Sequence, residues 1–215
     1  GGAGFIEEYP AAALYRDERI NRIFEGTNEI NRLLIAATFL KKAILEELPI
    51  RNSIFEKQTI LIPDISFATN SDLKNEIEII EYSRTLMLNT LNNLINVYGQ
   101  DLKNEQWVLE PFANIVISFS VMYFGYVRYN QLTEESYKNI TIPILKYSLS
   151  RNFNKLMLFS EEIHNTISSS LNISNNSYTE ELFNKIKSLQ FKCDTVALKK
   201  SIFQEFKKNG KYYLV

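Results

Sequence analysis

RIFEGTNEINRLLIAATFL, residues 22–40, holds the end of one helix, a turn and the start of another. Gly26 suits a left-handed turn residue, since it has no Cβ to clash there. Thr27 is a good N-cap for the segment that follows. Ile30, Leu33, Leu34, Ala37, Phe39 and Leu40 recur at helical spacing, which predicts a helix from about Asn28 to Glu47, closed by Pro49. Upstream, Pro10 sits where a first helical turn accepts proline. A helix from about Ala11 to Phe24 follows, with Leu14, Tyr15, Ile20, Ile23 and Phe24 available for burial. Gly1 to Gly4 read as a loop.

Downstream, periodicity weakens from Ile50 to Ser71, where Pro63, Asp64, Thr69, Asn70 and Ser71 supply turn chemistry. Ile60, Leu61 and Ile62 are too few to establish a strand, and the stretch reads as a linker. The expected organisation is therefore residues 1–48, a linker over 49–71, and a second helical part over 72–215. That second part opens with a helix from Asp72 to about Tyr98, with Met87, Leu91, Leu94, Ile95 and Tyr98 at spacings of three and four and Gly99 as C-cap. A helix from Asn104 to Tyr129 is expected to be interrupted or bent near Pro111. Its centre, FANIVISFSVMYFGYV at 112–127, is apolar on nearly all sides. A membrane span needs roughly 20 apolar residues, and Asn114, Ser118 and Ser120 interrupt this one, so a buried central helix is the better reading. Further helices fit Glu134–Tyr147, Arg151–Ser168, Thr179–Lys192 and Thr195–Lys208, with a Ser/Asn-rich loop after the second of these.

Composition narrows the class. Across 215 residues, 24 Lys and Arg against 25 Asp and Glu give a formal net charge of −1, which argues against a nucleic-acid-binding surface spread over the chain. The hydrophobic share of 45% is ordinary for a globular protein, so global disorder is not expected. Seven Gly and five Pro disfavour a turn-rich sandwich or barrel. The lone Cys193 allows no internal disulfide, and with His164 as the only histidine no His/Cys zinc cluster forms. The expected fold class is all-α, in a soluble, cytoplasmic protein. The opening GGAGF, with no initiator Met and no signal-like segment, reads as a piece cut from a longer chain.

Several features have bland readings. The sequons at Asn139, Asn172 and Asn175 fit an Asn-rich composition better than glycosylation. His164 reads as an exposed helix residue, Cys193 as an inert thiol, and Lys207, Lys208 and Lys211 as a solvated face. Glu25 stands out because it lies at a helix–turn–helix junction beside Gly26, which permits close approach of a ligand. The amides of the next helix follow at once, and such ends favour anions. By its local chemistry alone, Glu25 still reads as a surface loop acid.

The surroundings alter that reading. GGAGFIEEYPAAALYRDERINRIFEGTNEINRLLIA, residues 1–36, resembles the last segment of flavin-dependent acyl-CoA dehydrogenases. The resemblance is carried by GGxGF, by EYP, by the pair Arg16 and Asp17, and by RIFEGTNEI followed by Arg32. It implies that Glu25 is the base that removes the α-proton of an acyl-CoA, and that Gly26 lies against the substrate. It also implies FAD as cofactor, with Thr27, Asn28 and Glu29 at its binding site. Gly1 and Gly2 match a glycine turn that approaches the FAD of a neighbouring subunit. Glu29 stands where many relatives carry Gln or Asp. Arg16, Asp17, Arg19 and Arg22 fit structural or intersubunit ion pairs better than catalysis.

A typical short member of the family ends soon after the helix containing Leu33 to Glu47, whereas this chain continues with predicted helix. That resembles the very-long-chain branch, whose subunits carry an additional α-helical bundle domain. The implied reaction is α,β-dehydrogenation of a fatty acyl-CoA, as in fatty acid β-oxidation, with electrons passed to an electron-transfer flavoprotein. The implied assembly is a homodimer, in the mitochondrial matrix if the source is eukaryotic. A membrane-surface role is the minor alternative, because the second part lacks a dense Lys/Arg cluster. The competing reading of the whole is a non-catalytic helical module for oligomerisation or interaction. No metal is expected.

Overall fold

The computed structural model describes residues 1–48, 73–132, 135–171, 177–188 and 193–209. Among the described residues seven α-helices run in chain order: α1 (Pro10–Ile20), α2 (Asn28–Ile44), α3 (Lys74–Tyr98), α4 (Gln106–Asn130), α5 (Glu135–Leu171), α6 (Ser177–Ser188) and α7 (Thr195–Asn209). Short 3-10 turns at Gly2–Gly4 and Gly99–Asn104 precede α1 and α4. No strand occurs among the described residues, and the fold is all-α. The linker expected over 49–71, including Ile60 to Ile62, lies outside the described residues, as do Asn172, Asn175 and Lys211.

The core forms where α4 lies between its neighbours. Leu86, Leu91 and Leu94 of α3, Phe112, Ile115 and Met122 of α4, and Leu149 and Leu156 of α5 are all removed from solvent. This burial confirms α4 as a central helix. It is long and apolar enough to cross a membrane by length and composition, but half of its apolar window is buried against other helices. Helix α2 joins the same core through Ala36, Leu40 and Ala43. There the Phe39 ring meets Phe112 edge-on, with centroids 6.0 Å apart. α6 adds Leu182, Phe183 and Ile186 to the core, while α7 packs along α5. α4 and α5 approach closely at Gly125, where an added Cβ would lie 3.3 Å from Leu145 Cδ1.

Helix ends follow local chemistry in several places. Pro10 starts α1, the Thr27 hydroxyl caps α2 by accepting from the Ile30 amide at 3.2 Å, and Gly99 caps α3. α2 stops at Ile44, short of the expected Glu47, because Glu46 takes a left-handed conformation with φ of 59°. The Glu47 and Glu46 amides then donate back to the Lys42 and Ala43 carbonyls, closing the helix end as a Schellman motif.

Three expectations are corrected. Helix α1 ends at Ile20 rather than Phe24, because the Ile23 and Phe24 amides both turn back to the Ile20 carbonyl. The break expected between Tyr147 and Arg151 does not occur, and α5 runs unbroken over 37 residues. Ser148 to Ser150, left between the two expected helices, are helical, with Leu149 and Ser150 buried, and tertiary packing outweighs weak helix propensity. Helix α4 likewise runs through Pro111, although that residue has no amide to offer the Trp107 carbonyl.

Candidate functional site

The junction between α1 and α2 is built by backbone hydrogen bonds over residues 20–31. The Asn28 amide donates to the Arg22 carbonyl at 3.1 Å, folding the chain back over the turn, and the Asn31 side-chain amide donates to the Gly26 carbonyl at 2.9 Å. Glu25 and Gly26 both lie in the left-handed region, with φ of 56° and 92°. Gly26 was expected there. Glu25 was not, and a non-glycine residue in that region carries strain of about 1–3 kcal/mol that surrounding bonds must hold in place. Gly26 is needed for a second reason: a Cβ on it would sit 3.0 Å from Asn31 Oδ1.

Glu25, Gly26 and Glu29 are exposed, while Thr27 and Asn28 are half-buried. The chain therefore brings five of the seven expected site residues into one short turn and helix start. Gly1 and Gly2 sit apart, in the 3-10 turn that packs on α1, with open space where a Cβ would point. Glu29 occupies the helix end itself. Its own backbone N–H and the Thr27 hydroxyl stabilise the carboxylate, Arg22 and Arg32 add to the effect, and its pKa falls below the ordinary value. A helix N-terminus already facing a carboxylate is a poor place for a second anion.

The apolar side chains that α1 was expected to bury are instead presented outward. Ala12 is the only buried residue among 1–26. Phe5, Tyr15, Leu14 and Phe24 are at least half exposed, and Ile30 and Leu34 continue the surface along α2. So many large apolar side chains left in solvent contrast with the buried core of the later helices. Arg16 pairs with Glu7 at 3.1 Å, with both side chains exposed, which fits a structural rather than catalytic place.

Two further candidates lie among the described residues. His164 is half-buried rather than exposed, its ring 5.4 Å from that of Phe183. Burial, then the Glu76 carboxylate, pushes the Cys193 thiol pKa up. Sequence reasoning missed the partners of Arg32. Its Nε donates to Asn114 Oδ1 at 2.9 Å and a terminal nitrogen donates to the Asn28 carbonyl at 3.0 Å. A polar Asn inside an otherwise apolar helix was the available signal.

Comparison with known proteins adds to this geometry. Residues 1–40 match the family described as acyl-CoA dehydrogenase, C-terminal domain. A probable acyl-CoA dehydrogenase of Bacillus subtilis (strain 168) is 40% identical over 125 residues, covering 57% of this chain and 21% of that protein. That stretch is longer than everything before residue 72, so the likeness reaches into the second helical part. The mitochondrial short-chain specific acyl-CoA dehydrogenase of Sus scrofa is 56% identical over 41 residues, 19% of this chain and 10% of that protein. The crystal structure of an acyl-CoA dehydrogenase complexed with FAD from Bacillus anthracis superposes with a TM-score of 0.83 at 25% identity, over all of this chain and 36% of that one. The chain thus spans about a fifth of the Bacillus subtilis relative and about a third of the solved structure.

Proposed function

We propose that this chain is the C-terminal part of an FAD-dependent acyl-CoA dehydrogenase, with Glu25 as the general base. The observation that carries the reading is the junction itself: a carboxylate on a strained left-handed turn, beside a glycine at φ 92°, within a segment matched to that family. The Glu25 carboxylate takes the α-proton of the acyl-CoA. Gly26, without a side chain, leaves room for the acyl group to approach it. When bound, FAD supplies the two-electron acceptor that takes the β-hydrogen with its electron pair.

The residues fit a flavin dinucleotide in part. Thr27 and Asn28 are accessible at the turn, and the exposed apolar strip from Phe5 to Phe24 suits a ring system or a protein wall that encloses one. Glu29 disfavours the pyrophosphate at the end of α2, so the neutral parts of the dinucleotide fit there better. Gly1 and Gly2, open to approach, suit a contact from another subunit of a homodimer.

On this reading, residues 1–48 end the catalytic helical domain, 49–71 link, and 72–215 form the additional helical domain of a very-long-chain type enzyme. The likeness to the Bacillus subtilis protein beyond residue 71, and the whole-chain fit to the Bacillus anthracis structure, support that extension. Electrons then leave to an electron-transfer flavoprotein. The testing experiment is expression of the complete reading frame around these residues. A purified protein that carries stoichiometric flavin, bleached anaerobically by fatty acyl-CoA thioesters, supports the reading. A flavin-free protein inert to a series of acyl-chain lengths rejects it.

A further inference from the structure

The geometry points to Asn114, on α4, as a positioning residue for the Glu25–Gly26–Thr27 junction: with Glu110 it holds Arg32, and Arg32 holds the first turn of α2. This rests on the reading of Glu25 as the base. The bonds run in series. Glu110 Oε1 accepts from Asn114 Nδ2 at 2.5 Å, Asn114 Oδ1 accepts from Arg32 Nε at 2.9 Å, and Arg32 reaches the Asn28 carbonyl at 3.0 Å. Glu110 also lies 3.9 Å from Arg32 Nε, so the guanidinium faces a charge as well as an amide. Asn28 is the residue whose amide closes the junction onto Arg22. Asn31, one position before Arg32, holds the Gly26 carbonyl.

The junction needs such a tie because packing does not supply one. Ala12 alone is buried among residues 1–26, so the first helix gives the turn no core to rest on. The buried contacts of α2 begin at Ala36 and continue at Leu40 and Ala43, two turns and more beyond Thr27. Ile30 faces solvent, and Leu33 is only partly covered. Among the described residues, the Arg32 fork is the side-chain link between the first turn of α2 and α4 that these hydrogen bonds provide. It spans 82 positions of sequence and ties the proposed base to the second helical part. The link is half exposed, and such pairs add little stability. Its effect is on orientation, and a shift of about 1 Å at a reacting group costs on the order of 10²-fold in rate.

The test uses the complete flavin-loaded protein. Asn114→Leu removes the acceptor from Arg32, and Asn114→Ala does so without adding a branched side chain. The double variant Glu110→Gln with Asn114→Asp keeps an acceptor for Arg32 and a donor for position 114, with the charge moved by one turn. Hydrogen exchange over residues 24–33 and stopped-flow flavin reduction by saturating acyl-CoA are measured on each. Either single variant is expected to speed exchange at the Asn28, Ile30 and Asn31 amides about tenfold. Reduction is expected to slow about tenfold with KM changed less than twofold, and the double variant restores both. Unchanged exchange, loosened exchange with an unchanged reduction rate, or no rescue by the double variant would each overturn the proposal. If Glu25→Gln reduces flavin normally while Asn114→Leu still loosens the turn, the base assignment fails and the tether alone stands.

Discussion

Residues 1–26 and the core built from α2 to α6 make different use of their apolar side chains. In the later helices Phe112, Leu86, Leu94, Leu149 and Met122 are removed from solvent, and one cluster joins α2 to α6. In the first segment Phe5, Tyr15, Leu14 and Phe24 stay in solvent, and a single alanine is buried. The segment with the sharpest family likeness therefore takes little stability from packing within the described residues. Its shape comes from turns, caps and hydrogen bonds.

Substitutions in the two regions should separate accordingly. Phe112→Ala removes a fully buried ring that packs on Phe39, and it should destabilise the chain by about 3–5 kcal/mol in urea denaturation. A loss under about 1 kcal/mol would mean that α2 and α4 do not share a core. Gly26→Ala must hold a φ near 92° with its Cβ against Asn31, and should cost about 1–2 kcal/mol, seen first as faster hydrogen exchange over residues 22–31. If the variant exchanged like wild type, the left-handed turn would not be the conformation in solution. Phe24→Ser should change chain stability by no more than about 0.5 kcal/mol, because the ring is half exposed. In the complete protein the same change should lower bound flavin. Full flavin occupancy there would show that nothing covers this face.

Cap chemistry made the junction legible from sequence, since a glycine followed by threonine before an apolar period is a local signal that tertiary contacts did not override. Pro10 and Gly99 were legible for the same reason. The all-α class followed from periodicity and from few glycines and prolines. Legibility failed where the deciding term was distant. Ser148 to Ser150 fall between two expected helices, yet burial of Leu149 against the core keeps α5 continuous. Leu14 and Tyr15 have helical spacing suited to burial, but among the described residues nothing covers them. Glu25 in a left-handed turn has no local signature, because the residue type normally chosen there is glycine. The Arg32–Asn114 bond joins positions too far apart for any window to relate them.

The assignment of the base was legible only through resemblance, since an exposed turn carboxylate has no distinguishing local chemistry. Its direct test is stopped-flow reduction of bound flavin by a saturating acyl-CoA in the complete protein, comparing wild type with Glu25→Gln. Glutamine keeps the size of the side chain but cannot accept the α-proton. Loss of a positioned general base predicts a rate lower by about 10²–10⁴-fold, with flavin content unchanged and acyl-CoA still perturbing the flavin spectrum. Reduction within a few-fold of wild type would place the base on another residue and contradict the account.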